Sequence, residues 1–368
     1  MSGELRVLAL PALPEFAAST RYRVLQYVPL LAERGIRVDV RPFLTNRTFA
    51  GLYDRRHMVR TAFGMVAGSA RRLIDAVRLG AYDVVWVQTQ ASLIGPPVLE
   101  WLAHRRRALV FDLDDATYVE RRSRVFGAFA SVLKGRGKAD RIIRSSDHAV
   151  CGNPTVAAYI GGKGVPTTVL PTIVDARRFA PRAVRPPGEI VLGWMGTHST
   201  FEYLLTLVPV FRRLAETHRF RVRIIGSGTA DLHVEGVDIE MRPWAIDREV
   251  EDLQSCDVAV YPIVADERGQ GKSGFKAIQY LSCGIPYVAS PVGVVSSIGR
   301  PGVTHFEARS EEEWFGALSR LLTDAALRDG MGREGRRYAV EHYSTRQTAE
   351  TLAGVFRSVA ERRRGRPA

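Results

Sequence analysis

Two lysines four residues apart have the type and spacing to bind a phosphate group. Lys272 and Lys276 flank Ser273 and Gly274, and an apolar helical pattern follows until Gly284. Residues four apart lie on the same side of a helix, and the first turn of a helix offers N–H groups and a positive dipole end to an anion. Lysine is scarce elsewhere in this arginine-rich chain. The spacing predicts a phosphate site, more specifically a diphosphate site, with a solvated helix surface as the alternative.

The same segment carries groups that could complete such a site. The backbone N–H groups of Ser273, Gly274 and Phe275 are expected to point into the space between the lysines. Gln279 follows one helical turn later, and its amide can hydrogen-bond to sugar hydroxyls, for example those of a ribose. A phosphorylated sugar or a nucleotide is therefore the kind of ligand that this segment indicates.

Three further candidate segments follow predicted strands in the second half of the chain. They are Gly196 and Thr197, the turn of Gly226, Ser227 and Gly228, and Trp244. Glycine lets a backbone approach a ligand, and an aromatic ring can border a nucleobase. Each segment has an alternative role. Ser199 and Thr200 could simply cap the next helix, the glycine segment could be an ordinary turn, and the tryptophan could serve only in packing. Ligands of open α/β sheets bind at the carboxyl ends of strands, so we expect these segments to lie near the lysines.

An acidic cluster ends a predicted strand in the first half. Asp112, Asp114 and Asp115 are candidate catalytic residues, together with Arg21 from the loop after the first strand. Two adjacent carboxylates raise the pKa of one of them, which suits a group that takes a proton from an acceptor. The alternative is a structural network in which the carboxylates pair with Arg21 or Arg23. A magnesium site is a further alternative, but no metal is predicted.

Strands alternate with helical patterns along the whole chain, which predicts parallel sheets with helical crossovers. The only proline-dense stretch lies at 179–188 and indicates a boundary. We predict an α/β protein with two Rossmann-like domains, residues 1–180 and 188–345. Residues 346–368 are predicted as a C-terminal helix with a basic tail that crosses back to the first domain.

Charge is unevenly distributed over the 368 residues. Residues 1–175 carry 25 Lys and Arg against 15 Asp and Glu, whereas residues 176–368 carry 27 against 24. The first half is therefore expected to meet an anionic partner, unless the excess only reflects a genome that favours arginine codons. Nucleic acid is disfavoured because basic and aromatic residues do not interleave. With no long apolar run, no signal-peptide layout and three widely spaced cysteines, a cytoplasmic protein is expected.

Two basic amphipathic stretches, 47–79 and 121–144, could contact a membrane. Each combines large apolar side chains with arginines at helical spacing. Such helices can lie on an anionic bilayer at the inner face of the cell membrane. The alternative is that they pack on the sheet as ordinary helices of an acceptor-binding domain.

Several segments resemble the retaining glycosyltransferases of the GT-B fold, in the large family-4 group. These segments are 226–228, 257–262 and 279–290. The chain is also similar to a subgroup with an SxRYRV start, an FDxDDA strand end and a GKxGFKxxQY loop, found here at 19–24, 111–116 and 271–280. The resemblance implies two domains facing each other across a cleft. It also implies a nucleotide-diphosphate sugar in the second domain, an acceptor in the first, and no cofactor or catalytic metal.

The chain departs from the family pattern in the lysine loop. The family carries two glutamates with seven residues between them, and these positions are Gly271 and Gln279 here. Asp266 or Glu267 could replace the first glutamate. The basic residues that usually hold the diphosphate after the first strand of the domain are absent, because Thr197 and its neighbours stand there. Lys272 and Lys276 are expected to take over that role.

The predicted activity is transfer of a sugar, hexosyltransferase-like and with retention, to an acceptor hydroxyl. The acceptor is expected to be a glycan, a lipid-linked molecule or a small molecule, in cell-envelope glycan or natural-product glycoside synthesis. Two alternatives share the architecture, namely a nucleotide-sugar 2-epimerase and a non-catalytic nucleotide-sugar-binding protein.

Overall fold

Two parallel sheets organise the chain. The computed structural model describes residues 4–52, 55–119, 137–183, 188–228 and 230–365. These residues divide into two units. Unit 1 comprises Met1–Thr172 with Thr345–Ala368, and unit 2 comprises Ile173–Ser344.

Unit 1 is built on a six-stranded sheet with the order β2-β1-β3-β4-β5-β6. The strands are β1 (Leu5–Pro11), β2 (Ile36–Val40), β3 (Val84–Gln88), β4 (Ala108–Leu113), β5 (His148–Cys151) and β6 (Thr167–Val169). The helices before residue 173 are α1 (Ala18–Arg23), α2 (Val28–Ala32), α3 (Asn46–Ala50), α4 (Met58–Arg78), α5 (Val98–Arg106), α6 (Lys138–Arg144) and α7 (Pro154–Gly161). The predicted amphipathic stretch at 121–144 lies largely outside the described residues, and only α6 belongs to its described part.

Unit 2 repeats this plan with the order β12-β11-β10-β7-β8-β9. The strands are β7 (Ile190–Met195), β8 (Phe220–Ile225), β9 (Asp238–Arg242), β10 (Val258–Tyr261), β11 (Tyr287–Ala289) and β12 (Phe306–Glu307). The helices are α8 (Phe201–Leu205), α9 (Val208–Ala215), α10 (Glu249–Gln254), α11 (Glu267–Gln270), α12 (Phe275–Ser282), α13 (Glu311–Thr323) and α14 (Ala325–His342). All the described strand pairs in both sheets are parallel.

The strands of unit 1 are apolar on both faces because helices cover both sides of the sheet. Val7 and Ala9 belong to one apolar cluster, and Leu8 and Leu10 belong to another. This split follows from the two-residue period of a strand. Strands buried on both faces are nearly continuous apolar runs, as the sequence shows here.

The last helix, α15 (Thr345–Arg364), covers one face of the sheet of unit 1. Its buried side includes Leu352, Phe356 and Val359, which pack in the same cluster as Trp86 of β3. The rings of Phe356 and Trp86 meet edge to face with their centroids 5.2 Å apart. The end of the chain therefore forms part of the core of unit 1.

Two predicted helices are each split in the structure. The pattern at 22–34 predicts one helix, but α1 ends at Arg23, a 3-10 turn follows at Leu25–Tyr27, and α2 starts anew. The pattern at 203–217 is likewise divided into α8 and α9. In both cases a proline, Pro29 or Pro209, occupies the first turn of the second helix, where its missing N–H group is tolerated. The apolar period continues across the break, so it does not reveal the split.

Replacing Phe356 with alanine tests the contribution of α15 to unit 1. The substitution leaves a cavity against Trp86, and we expect a loss of about 3–5 kcal/mol in the free energy of unfolding. Urea unfolding followed by circular dichroism measures this change. The control Glu361→Ala, on the exposed side of the same helix, should stay within about 0.5 kcal/mol of wild type. Equal stability of the two variants would contradict the packing role of α15.

Candidate functional site

The predicted lysine loop leads directly into helix α12. Gly274 is the residue before the helix and has a left-handed φ of +70°. This conformation favours glycine, whereas the nearest atom to a Cβ here would be Ile298 Cδ1, the end of a flexible side chain. The turn places Lys272 before the helix and Lys276 in its first turn, as the sequence predicts.

Lys272 and Lys276 line the same narrow cavity in unit 2. The other lining residues are Trp194, Thr200, Tyr203, Tyr261, Pro262 and Ile263. Lys276 Nζ lies 5.4 Å from the ring centroid of Tyr261, within the range of a cation–π contact. Because Trp194 and Tyr261 line this cavity at the ends of β7 and β10, the lysines stand at the carboxyl edge of the sheet. Their positive charge and the start of α12 make this edge suitable for an anion.

The ends of β7, β8 and β9 meet at the same edge through close backbone contacts. The N–H group of Gly196 donates to the carbonyl of Ile225, and that of Gly226 donates to Arg242. A Cβ atom on Gly226 would lie 2.6 Å from the carbonyl oxygen of Gly196 and 3.2 Å from Cβ of Trp244. The structure therefore brings Gly196, Gly226 and Trp244 together.

The neighbouring hydroxyl groups are mostly engaged within their own turns. The N–H group of Thr197 donates to Thr200 Oγ1 at 3.2 Å, and Thr197 Oγ1 lies 2.9 Å from Ser199 Oγ. Thr200 precedes α8 without a side-chain cap bond. Its hydroxyl thus stabilises the turn after β7 rather than the helix. In the next turn, Ser227 is buried and donates to the carbonyl of Ala230, while Gly228 lies near His198.

Gln279 is buried inside unit 2, with an exposed fraction of 2%. Its Nε2 atom has no hydrogen-bond partner within the described part of the chain. A buried amide without a partner is costly, which is expected where a ligand supplies the missing acceptor. Ser273 is also buried, at the start of the same segment.

The two residues proposed to replace the missing first glutamate lie in a tight loop before the lysines. Asp266 precedes α11, and its Oδ1 accepts a hydrogen bond of 2.6 Å from the N–H group of Gly269. Asp266 and Glu267 are both exposed. The Asp266 carboxylate therefore caps a helix.

In unit 1, Asp112 forms a buried ion pair with Arg23. Arg23 Nε donates to Asp112 Oδ1 at 2.9 Å, and Trp86 Nε1 donates to Oδ2 at 3.4 Å. Burial alone would lower the pKa of Arg23, but the charge of Asp112 and the hydrogen bond to it outweigh burial and raise that pKa. Burial also raises the pKa of Asp112, and Arg23 limits the rise. Of the two arginines that the sequence left open as partners, Arg23 is the one that pairs with Asp112.

Asp114 and Asp115 follow β4 as an adjacent carboxylate pair. Burial and the charge of Asp115 raise the pKa of Asp114 from 3.8 to about 6. The backbone of Asp114 lies against Gly152 after β5, and Asn153 Nδ2 donates to its carbonyl at 3.2 Å. A carboxyl group with a pKa near neutrality can exchange a proton at physiological pH, as a general base requires.

Arg21 and Thr89 complete this edge of the sheet. Arg21 is buried, and its Nη1 donates at 3.0 Å to the carbonyls of Glu15 and Phe16, which holds the loop after β1. Thr89 follows β3 with a φ of +63°, the only non-glycine residue with a positive φ in the described chain. Its N–H group donates to the carbonyl of Asp112 at 2.8 Å. Such strain in a β-branched residue is typical of functional sites, and no sequence pattern reveals it.

No group of three or more His, Cys, Asp or Glu side chains within the described ranges is placed to hold a metal ion. A helix with the length and apolarity needed to span a bilayer is likewise absent from that part of the chain.

Comparison with known proteins links the lysine-bearing unit to sugar transfer. Residues 189–324 match the family model Glycosyl transferases group 1. The matched domain lies within unit 2. The chain is also 30% identical over 185 residues to a D-inositol 3-phosphate glycosyltransferase of Acidothermus cellulolyticus. The aligned region covers 49% of this chain and 38% of that protein. The match thus spans less than half the length of that relative. The domain and the relative support a transferase enzyme.

Solved structures show the fold of the whole chain. Sucrose-phosphate synthase from Thermosynechococcus elongatus has a TM-score of 0.66 at 16% identity, covering 96% of this chain and 99% of that chain. Anabaena HepE, in complex with UDP-glucose, has a TM-score of 0.65 at 14% identity, covering 96% and 100%. With two six-stranded parallel sheets and their helices, this chain has the predicted α/β GT-B fold.

Unit 2 brings together most of the donor-site residues predicted from the sequence at the carboxyl edge of its sheet. Sequence reasoning missed Tyr203 and Tyr261, which line the lysine cavity. Tyr261 ends β10, so the strand-end rule applied to Lys272 and Trp244 could also have indicated it. Tyr203 lies inside α8 and carries no comparable signal. The ligand and catalytic roles of the predicted residues stay predictions.

The raised pKa of Asp114 predicts how stability changes with pH. The folded carboxyl binds its proton more tightly than the unfolded one. Its contribution to stability is therefore fully present below about pH 4 and is lost as pH rises to about 6. Asp114→Asn removes this dependence. Between these pH values, the free energy of unfolding of the wild type should fall by about 2–3 kcal/mol relative to that of the variant.

Urea unfolding at a series of pH values measures the difference. Asp247→Asn, which alters an exposed carboxylate, serves as the control and should follow the wild-type curve. Parallel curves for wild type and Asp114→Asn would show that the Asp114 pKa is not raised.

Proposed function

We propose that this chain transfers a sugar, hexosyltransferase-like and with retention, from a nucleotide-diphosphate sugar to an acceptor hydroxyl. The observation that carries the proposal is the pair Lys272 and Lys276 on one cavity at the carboxyl edge of a group 1 glycosyl transferase domain. Two ammonium groups four residues apart match the two phosphates of a nucleoside diphosphate. Their charge would stabilise the diphosphate as it leaves the sugar, which is where electrostatic catalysis acts most strongly.

The other donor contacts follow from the same edge of unit 2. Gln279 would use its unpartnered Nε2 to donate to a ribose hydroxyl. Because the amide is neutral, it offers a weaker hydrogen bond than the glutamate of the family pattern. Gly196 and Gly226 hold the ends of β7 and β8 close together beside the proposed donor, and the backbone near Trp244 would border the base.

In unit 1, the carboxylates after β4 are the proposed acceptor-side groups. Asp114 has the pKa of a group that can take the proton of an attacking hydroxyl. Asp115 would assist by keeping that pKa raised. Asp112 is held by Arg23, so we assign it to orienting the strand end. Arg21 fixes the loop after β1, beside which the acceptor would enter. No catalytic metal is proposed.

The proposed setting is the cytoplasm, at the inner face of the cell membrane. Cell-envelope glycan or natural-product glycoside synthesis would provide acceptors, including lipid-linked ones. Peripheral contact with anionic lipid fits the charge excess in the first half of the chain.

Removing one lysine tests the diphosphate assignment. Lys276→Ala deletes a charge-assisted contact, so nucleoside-diphosphate affinity should fall about 10- to 100-fold and turnover by at least about 100-fold. Isothermal titration with UDP, GDP and dTDP measures the affinity, and release of the nucleotide from the matching sugars measures turnover. Lys276→Arg should recover part of the affinity. Arg212→Ala, which removes an exposed cation from α9, is the control, and unchanged binding by Lys276→Ala would refute the assignment.

The stereochemical outcome tests the reaction class. We expect a product with the anomeric configuration of the donor sugar, because the acceptor hydroxyl would bond to the anomeric carbon on the same face from which the diphosphate leaves. Proton NMR of the product distinguishes the anomers. A product of opposite configuration would overturn retention. An epimerised nucleotide sugar formed without acceptor would instead identify a 2-epimerase.

A further inference from the structure

Helix α4 buries its polar side in unit 1. Arg72 is 4% exposed, and its guanidinium donates to the carbonyls of Ala91 at 2.6 Å and Pro11 at 3.2 Å. Arg72 Nη1 also donates to Asp75 at 2.8 Å, and Asp75 accepts a second bond from Arg41 at 2.9 Å. The charged groups on this side are thus satisfied inside the protein. A buried, hydrogen-bonded ion pair fixes how the helix is rotated about its axis, because either charge alone would be costly to bury.

Two glycines on the same side fix this rotation independently. A Cβ atom on Gly64 would lie 2.6 Å from Thr48 Oγ1, and one on Gly68 would lie 2.7 Å from the carbonyl oxygen of Phe43. The helix backbone therefore rests directly on these neighbours. Turning the helix to bury its opposite side would remove the glycines from the contact and place large side chains there.

The opposite side of α4 presents a long apolar row to solvent. Its members recur at helical spacing, and most are more than half exposed. They are Val59 (72%), Phe63 (72%), Val66 (66%), Leu73 (72%), Ile74 (49%) and Val77 (83%). Most amphipathic helices of globular proteins bury such a row. An exposed row of this length marks an interaction surface.

The exposed charges of α4 itself are of one sign. Arg60 and Arg78 lie along one edge of the exposed side, and Arg78 is solvent-exposed. Asp75 is the only acidic residue of α4, and it is 1% exposed. Beside α4, helix α5 exposes Trp101, with the guanidinium of Arg105 3.8 Å from the centre of its indole. An apolar row with an exposed tryptophan nearby and arginines at its edge complements an anionic lipid surface.

We infer that the exposed side of α4, with Trp101 of α5 beside it, docks unit 1 on an anionic bilayer. The helix would lie in the plane of the interface, with its apolar row among the acyl chains and its arginines at the headgroups. A second copy of this chain is the less favoured occupant, because the edge arginines of two such surfaces would be brought together. This inference deepens the membrane contact proposed above and identifies the surface responsible.

Vesicle binding by the full chain tests the inference. Co-sedimentation is measured with vesicles of phosphatidylcholine and phosphatidylglycerol in equal parts, and with phosphatidylcholine alone. Wild type should bind the mixed vesicles at least about tenfold more tightly, and less so at high salt. The double variant Phe63→Ser/Val66→Ser should lose at least about tenfold in affinity, and Arg78→Gln about fivefold.

Val340→Ser is the matched control, since Val340 is 54% exposed on a helix of unit 2. It should bind as wild type does. Equal binding by the double variant and this control would overturn the inference, as would a wild-type protein that binds neither vesicle. Light scattering after size exclusion completes the test. A wild-type dimer that the double variant dissociates would assign the surface to a second copy. The assay contains no sugar donor or acceptor, so it fails or succeeds independently of sugar transfer.

Discussion

The parallel direction of the strands is the constraint on which the candidate sites depend. Each parallel strand must be followed by a crossover, so the loops after successive strands leave from the same edge of the sheet. In unit 2 this places the ends of β7, β8, β9 and β10 side by side. Gly196 and Gly226 then let two of these ends touch through their backbones. Lys272 and Lys276 lie at this edge because α12 also begins there.

Unit 1 uses arginine to hold its own backbone as well as to carry charge. Arg23 joins Asp112 to the carbonyl of Leu170, far along the chain, and Arg72 joins three backbone carbonyls and the carboxylate of Asp75. Losing one partner of such a buried pair costs about 3–5 kcal/mol, since the other charge is left uncompensated. The charge excess in residues 1–175 therefore has two origins. Part of it is structural and internal, and only the exposed arginines, such as Arg78, are available to an anionic partner.

The sequence predicted strands and strand ends better than it predicted helix breaks and partners. The run at 190–194 closely matches β7, because a buried parallel strand is a short apolar run. The two lysines were predicted to lie together from a helical spacing, but Lys272 precedes α12, and the left-handed turn at Gly274 brings it to the same cavity as Lys276. The partner of Asp112 was left open, since Arg21 and Arg23 are both distant in sequence and only the geometry of α1 selects between them. The strained φ of Thr89 depends on its contact with β4, which local sequence does not encode.

Helix α4 shows that an amphipathic pattern does not by itself determine which side of a helix is buried. The period of 3.6 residues reveals that one side is apolar, and the usual inference is that this side is buried. In the structure it is the opposite side of α4 that is buried. Its glycines allow the backbone to approach its neighbours, and Arg72 and Asp75, three residues apart, can neutralise each other. Small residues combined with a self-neutralising pair on one side make that side compatible with burial despite its polarity. Where both occur opposite a wide apolar row, the row is available for a partner outside the fold.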